Sequence, residues 1–337
     1  MGGTREAKKQ ERSYWKIPSA ETISLRKSMQ RRTFLKTSVA ALSVRDVFSQ
    51  SEPNWDGPVL DTHLHLRKDP DACFTHIRGC GVTNAVLLTQ AKDEDKAKEE
   101  MTKRPGAFVR SVATDPAQSG ADEVIRKAIE EGAVSVGELK HHLALDSTEM
   151  RRVYDICAEM RVPVMMHIQN FPHFPGELPY NTGYPKFDTI LRAYPKTNFI
   201  GHGDLFWAHI SADVPTDRGY PSGPVKPGGL TDRFLSDYPN MHADMSANSG
   251  NNALSRDQDF SRGFIGRHRT KLIFGSDCSC TDGKGAGISQ GRNPEASRLA
   301  GQCVARATLG LLKGITSPEI FRQITWTNGK QLFKVNA

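Results

Sequence analysis

From Val59 onward the chain alternates short apolar runs with longer mixed ones. The apolar runs are VLDTHLHL (59–66), NAVLLT (84–89), AFVRSVA (107–113), AVSVGELK (133–140), VPVMMHI (162–168), NFIGHG (198–203), MHADMSA (241–247) and KLIFGSD (271–277). Their length and flanking turn residues predict eight strands. Stretches of helical composition lie between most of them, such as GADEVIRKAIEEG (120–132) and DSTEMRRVYDICAEMR (146–161). Asp146 is the expected N-cap of the second, with Glu149 three residues on to complete a capping box. Eight strands alternating with helices predict an α/β chain folded as a (β/α)8 TIM barrel, a form of typically about 250 residues. A doubly wound open sheet is the alternative, but no G-x-G-x-x-G loop follows the first strand.

Three stretches break the alternation. Residues 204–240 are rich in Gly and Pro at their centre and read as an ordered loop with little regular structure. SANSGNNALSRD (246–257) and CSCTDGKGAGISQGRN (278–293) read as two further loops. In a barrel all three fall on the face where βα loops gather.

Charge divides the chain in two. Of 45 Lys and Arg against 38 Asp and Glu, residues 1–45 hold 11 against 3, leaving 34 against 35 for the rest. The net charge of +7 therefore belongs to the leader, and the near-neutral body offers no electrostatic case for nucleic acid. Residues 1–50 read as a disordered basic leader and 57–337 as the (β/α)8 domain. Within the leader, Arg31-Arg32-Thr33-Phe34-Leu35-Lys36 precedes a short apolar stretch and resembles a twin-arginine export signal. The resemblance implies the twin-arginine export machinery as a partner and a periplasmic or exported protein, with the cytoplasm as the alternative. Met29 is a natural alternative start. No apolar run approaches the ~20 residues of a membrane span, so no stable membrane anchor is expected. Six cysteines are too few for a disulfide scaffold and form no C-x-x-C pair. Cys278 and Cys280 read as small residues packed at a strand end.

Polar residues gather where the predicted strands end. His63 and His65 share one face of the first strand, since side chains two apart point the same way. Glu138 and Lys140 end the fourth, His167 the fifth, His202 the sixth and Asp277 the eighth. Barrel strand ends converge on one mouth, and each of these groups would pay a desolvation cost there without a partner. A metal ion removes the difficulty.

Asp-x-His-x-His on the first strand, with His167, His202 and Asp277, resembles the amidohydrolase superfamily, in its amidohydrolase-related branch. FIGHGDLFW (199–207), MHADMSA, LIFGSD and the closing ITWTNGKQLF (324–333) extend the resemblance over about residues 57–335. It implies that His63, His65 and Asp277 bind a first divalent metal, and His167 and His202 a second if one is present. In single-metal members His167 is the further ligand, and His202 contacts substrate or polarises water. Binuclear members bridge the metals from strand four with a glutamate or a carboxylated lysine. Glu138 and Lys140 both qualify, and VGELK resembles the Gly-Glu of nuclease-like relatives, which favours Glu138.

Imidazole and carboxylate ligands suit Zn first, with Mn or Fe as alternatives, as one or two ions. The implied chemistry is a metal-activated water, with Asp277 taking and returning a proton and His202 or the metal polarising the bond under attack. Lys140 and Arg256 are candidates to grip an anionic substrate, and Trp207 and Tyr220 to line the pocket. His141, His142 and His173 have no better placement. The leading expectation is a hydrolase of an amide, ester or lactone bond in a small molecule. A non-oxidative decarboxylase of a small carboxylic acid is the alternative, and an exported binding protein that has lost catalysis a further one. Oligomeric state is not legible.

Overall fold

The computed structural model describes residues 53–216, 218–287 and 296–335. The basic leader and its twin-arginine-like run lie outside the described residues. Among the described residues there are eight short parallel strands: β1 Leu60–His65, β2 Asn84–Leu88, β3 Phe108–Arg110, β4 Val136–Leu139, β5 Val164–His167, β6 Phe199–His202, β7 Met241–Asp244 and β8 Leu272–Ile273. They form two ladders, β1-β2-β3 and β4-β5-β6-β7-β8. Two seams join the ladders. Val112 bridges to Val136 in parallel, and Thr62 donates both its N–H and its hydroxyl to Phe274 O, at 3.0 and 2.9 Å. The result is the expected (β/α)8 barrel.

Among the described residues ten α-helices follow the strands: α1 Asp71–Cys80, α2 Glu94–Lys103, α3 Ala121–Glu130, α4 Thr148–Met160, α5 Asp188–Ala193, α6 Asp204–Ala208, α7 Leu230–Asp237, α8 Ala247–Ser255, α9 Gln258–His268 and α10 Val304–Ile315. A terminal run of α11 Pro318–Arg322, a π-turn Gln323–Thr327 and α12 Asn328–Leu332 follows. None of the described helices is long and apolar enough to cross a membrane. Trp55 already belongs to this unit, donating its indole N–H to Cys80 O at 2.8 Å.

Period-two alternation divides the strand side chains between two apolar regions. Leu64, Leu87, Val164, Phe199, Met241 and Leu272 face the helices. Leu60, Val86, Leu88, Met165, Ile200 and Ile273 face inward, where Phe333 and Val335 join them. Met165 and Ile200 lie side by side in register, and two residues further on His167 lies opposite His202. An apolar layer thus supports the polar mouth.

Three expectations are corrected. Helix α4 is capped by Ser147, whose hydroxyl accepts Met150 N–H at 3.3 Å, and not by Asp146. Residues 246–257 are mostly helix α8, despite their Asn, Ser and Gly. Burial of Ser249, Gly250, Asn251, Ala253 and Leu254 outweighs weak local propensity. Residues 204–240 carry a helix at each end, α6 and α7, around the irregular centre that the Gly and Pro residues predict.

Candidate metal centre

The ladders break register at the positions that carry the chemistry. Pairing of β1 with β2 shifts between Asp61 and Leu64, and pairing of β4 with β5 shifts between Val136 and Leu139. His63 and Glu138 turn inward at these irregularities. Gly137 allows the second: its φ is +118°, and a Cβ there would collide with Met165 O. Asp61 braces the first. Its Oδ1 accepts the N–H of His63 at 3.0 Å and of Ser276 at 2.8 Å, joining β1 to the segment after β8. Burial pushes the Asp61 carboxyl up to about 6.

Glu138 lies at the centre of the mouth. Its Oε2 is 3.2 Å from His65 Nε2 and 3.7 Å from His63 Nε2. Its Oε1 is 2.5 Å from His167 Nδ1 and 3.4 Å from His202 Nε2. Asp277 closes the ring at the rim, with Oδ1 3.4 Å from His65 Nε2 and Oδ2 3.9 Å from His202 Nε2. It takes a left-handed φ of 44° and donates its N–H to His63 O at 2.7 Å. His65 is the most open member, with its side chain 48% exposed, while His63 and His202 are fully buried. Three three-residue sets could hold an ion, His63-His65-Glu138, Glu138-His167-His202 and His63-His202-Asp244, and the first two share Glu138.

Asp244, at the end of β7, received no role in the sequence reading. It is fully buried, and its Oδ2 lies 2.7 Å from His63 Nδ1 and 3.2 Å from His202 Nδ1. Ser246 Oγ donates to the same oxygen and lies 2.9 Å from His202 Nδ1. An ionised Asp244 therefore holds a hydrogen of His63 on Nδ1, so that Nε2 is the nitrogen turned toward Glu138. Gln169 Oε1, 2.8 Å from His167 Nε2, likewise leaves His167 Nδ1 facing inward. The signal available in the sequence was the one used for the other strand ends: a carboxylate closing an apolar run.

Burial opposes charge throughout the cluster, yet opposite partners prevail. The Glu138 carboxyl is held well below its usual range by His167, with His63 and His65 close beside it. His63 is raised well above the ordinary imidazole value by Asp244 and Asp277. A cation suits this donor set, because His202 Nε2 is buried and makes no hydrogen bond. Nitrogen and carboxylate donors on five strand ends suit a divalent metal.

The remaining candidates lie apart. Lys140 is exposed, its ammonium 4.9 Å from the centre of the Tyr180 ring, whose own centre is 6.2 Å from that of His167. Glu138 and Lys140 thus do not share the mouth. Trp207 does not line a pocket: it is 1% exposed, and its indole N–H donates to Asp244 O at 2.9 Å. Arg256 donates to Gly223 O at 3.2 Å and makes no hydrogen bond to the cluster. Tyr220 is nearly buried, and its hydroxyl is pushed up by burial, with Asp204 and Asp277 adding to the effect. His142 stacks on Tyr180, His173 Nε2 lies 3.4 Å from Asp204, and His141 Nδ1 lies 3.8 Å from Asp115.

Comparison with known proteins gives a consistent picture. The amidohydrolase family model matches residues 66–335. A search of curated proteins finds no match. Among solved structures, the chain is similar to a dihydroorotase from Campylobacter jejuni, at 13% identity over 83% of this chain and 84% of the other, with a TM-score of 0.53. A TatD homologue from Escherichia coli is similar at 14% identity over 82% and 98%, with a TM-score of 0.51. A 5-carboxyvanillate decarboxylase from Novosphingobium aromaticivorans, solved with manganese, is similar at 12% identity over 83% and 97%, with a TM-score of 0.54. At these identities the likeness establishes the shared fold.

Proposed function

The chain belongs to the amidohydrolase family, and on that premise we propose that it is a metal-dependent hydrolase of an amide, ester or lactone bond in a small molecule. One observation carries the reading: the two oxygens of buried Glu138 address two different histidine pairs. That is the arrangement a carboxylate needs to bridge two cations. His63, His65 and Asp277 would hold one ion, His167 and His202 the other, with Glu138 between them. Bound there, divalent ions supply a lowered water pKa and a Lewis acid for the scissile carbonyl. Zn suits the donors first, with Mn or Fe next.

The chain's own groups do the rest. Asp277, partly exposed at the rim, is placed to take a proton from the attacking water and pass it to the leaving group. His202 Nε2, without a hydrogen bond, faces the same space. Asp244 keeps His63 and His202 oriented while this happens. Tyr220 and, further out, Lys140 over Tyr180 flank the approach to the mouth.

The test is metal content per chain after purification without added metal, for the native sequence and Glu138→Gln, together with a screen of amides, esters and lactones. Loss of a metal equivalent in the variant along with hydrolysis supports the proposal. An unchanged metal count, with carbon dioxide release from an aromatic or unsaturated acid, would establish a decarboxylase instead.

A further inference from the structure

Immediately behind the mouth lies a second cluster that this chemistry does not use. His76 from α1, Cys278 and Cys280 from the segment after β8, and Cys303 at the start of α10 are all buried, and no disulfide joins them. Cys280 Sγ is 3.3 Å from His76 Nδ1, Cys278 Sγ is 3.3 Å from Cys280 Sγ, and Cys303 Sγ is 4.0 Å from Cys278 Sγ. All four ligand atoms lie within 4.8 Å of one another. A tetrahedral zinc site, with Zn–S of about 2.3 Å and Zn–N of about 2.0 Å, has ligand–ligand edges of about 3.5 to 3.8 Å. The observed spacings bracket that range.

The surroundings suit thiolates better than idle thiols. Val304 N–H, the first amide of α10, points at Cys278 Sγ from 3.3 Å, which favours negative charge on that sulfur. His76 turns Nε2 toward Cys80 Sγ, 3.9 Å away, and so presents Nδ1 to the cluster. Arg67 donates from Nη2 to Cys278 O at 2.9 Å, bringing a positive charge beside the group. Two glycines permit the approach of α1 to the loop. A Cβ at Gly79 would meet Asp282 O, and one at Gly283, where φ is +67°, would meet His76 O and Cys80 N.

We propose that His76, Cys278, Cys280 and Cys303 form a second, structural metal site that takes a thiophilic divalent cation, Zn2+ above all. Binding converts three thiols to thiolates and releases three protons to solvent. With a neutral imidazole the loaded site carries one net negative charge, set beside Arg67. Because Asp277 directly precedes Cys278, the site fastens the loop that holds Asp277 at the rim. It ties that loop to α1 on one side and α10 on the other, so Cys278 and its partners are positioning residues.

The experiment is cobalt substitution of the full chain, read by absorption and by elemental analysis. Sulfur ligands give an intense thiolate-to-cobalt charge-transfer band, which a nitrogen and carboxylate site lacks. The band should appear in the native sequence and survive in His63→Ala, with one cobalt equivalent retained. It should vanish, with loss of that equivalent, in Cys280→Ser and in His76→Gln. Because the native sequence is itself informative, the test stands even if one variant fails to fold. No charge-transfer band in a cobalt-loaded native chain would overturn the proposal. So would a band that persists in both variants, or a native mass lower by two hydrogens from a Cys278–Cys280 disulfide.

Discussion

Asp244 Oδ2 and His63 Nδ1 lie 2.7 Å apart, both fully buried, on the seventh and first strands of the barrel. A carboxylate in this position fixes the tautomer and ring orientation of a metal-binding imidazole. Asp244→Asn keeps the shape but removes the charge, and its amide can offer a donor where an acceptor is needed. Metal affinity is expected to fall about 10- to 100-fold. Competition with a chelator of known affinity measures it. An affinity equal to that of the native sequence would separate Asp244 from the site.

Metal removal has its own signature. In the metal-free chain His63 is raised well above its ordinary value by Asp244 and Asp277, and Glu138 is held well below its own by His167, both against burial. These pairs offset most of the charge in the mouth and leave His202 Nε2 as the atom without a hydrogen bond, so a chelated chain is expected to stay folded by circular dichroism. Restoring metal to about 100 times its dissociation constant should raise stability by about 2.7 kcal/mol per site. A chelated chain that unfolds would show that the pairs alone cannot support the barrel.

The eight strands and the residues of the mouth were legible because both rest on local pattern. A short apolar run announces a strand, and a His or carboxylate at its end announces the rim. Asp244 carried that same signal inside MHADMSA but lacked the paired imidazoles that made His63 and His65 conspicuous. The cysteine cluster was not legible, since His76 and Cys303 are brought to Cys278 and Cys280 only by the packing of α1 and α10. Helix α8 was hidden for a related reason: its Asn, Ser and Gly residues are helical through burial, not propensity. Lys140 was misplaced because equal spacing from Glu138 suggests a shared face, and the break in register at β4 ends that equivalence.

Trp207 distinguishes packing from substrate contact. Its indole N–H is the donor to Asp244 O, under the site and out of reach of solvent. Trp207→Phe keeps most of the aromatic packing and leaves that carbonyl without this partner, at an expected cost of about 1–3 kcal/mol. Denaturant unfolding reads the loss, and KM should stay within the scatter of the assay. A raised KM with unchanged stability would return Trp207 to the pocket wall.

Acid sensitivity should come in part from a histidine outside the metal-binding cluster. His209 follows α6 with its ring 5.3 Å from the Tyr184 ring, and burial pushes its pKa down to about 4. An unfolded histidine titrates near ~6.5. Above that pH both states are neutral and the packing of His209 contributes in full. Between about 6.5 and 4 the unfolded chain takes up a proton that the folded chain refuses, so stability falls as pH falls. Below about 4 both states are charged and the slope from this group ends. With allowance for its partial exposure the loss is about 2 kcal/mol across the window. His209→Phe preserves the contact with Tyr184 and cannot take up the proton. Denaturant midpoints measured from pH 7 to pH 4 should therefore fall less steeply for the variant than for the native sequence. Parallel curves would show that His209 is as easily protonated folded as unfolded, and would place the acid lability elsewhere.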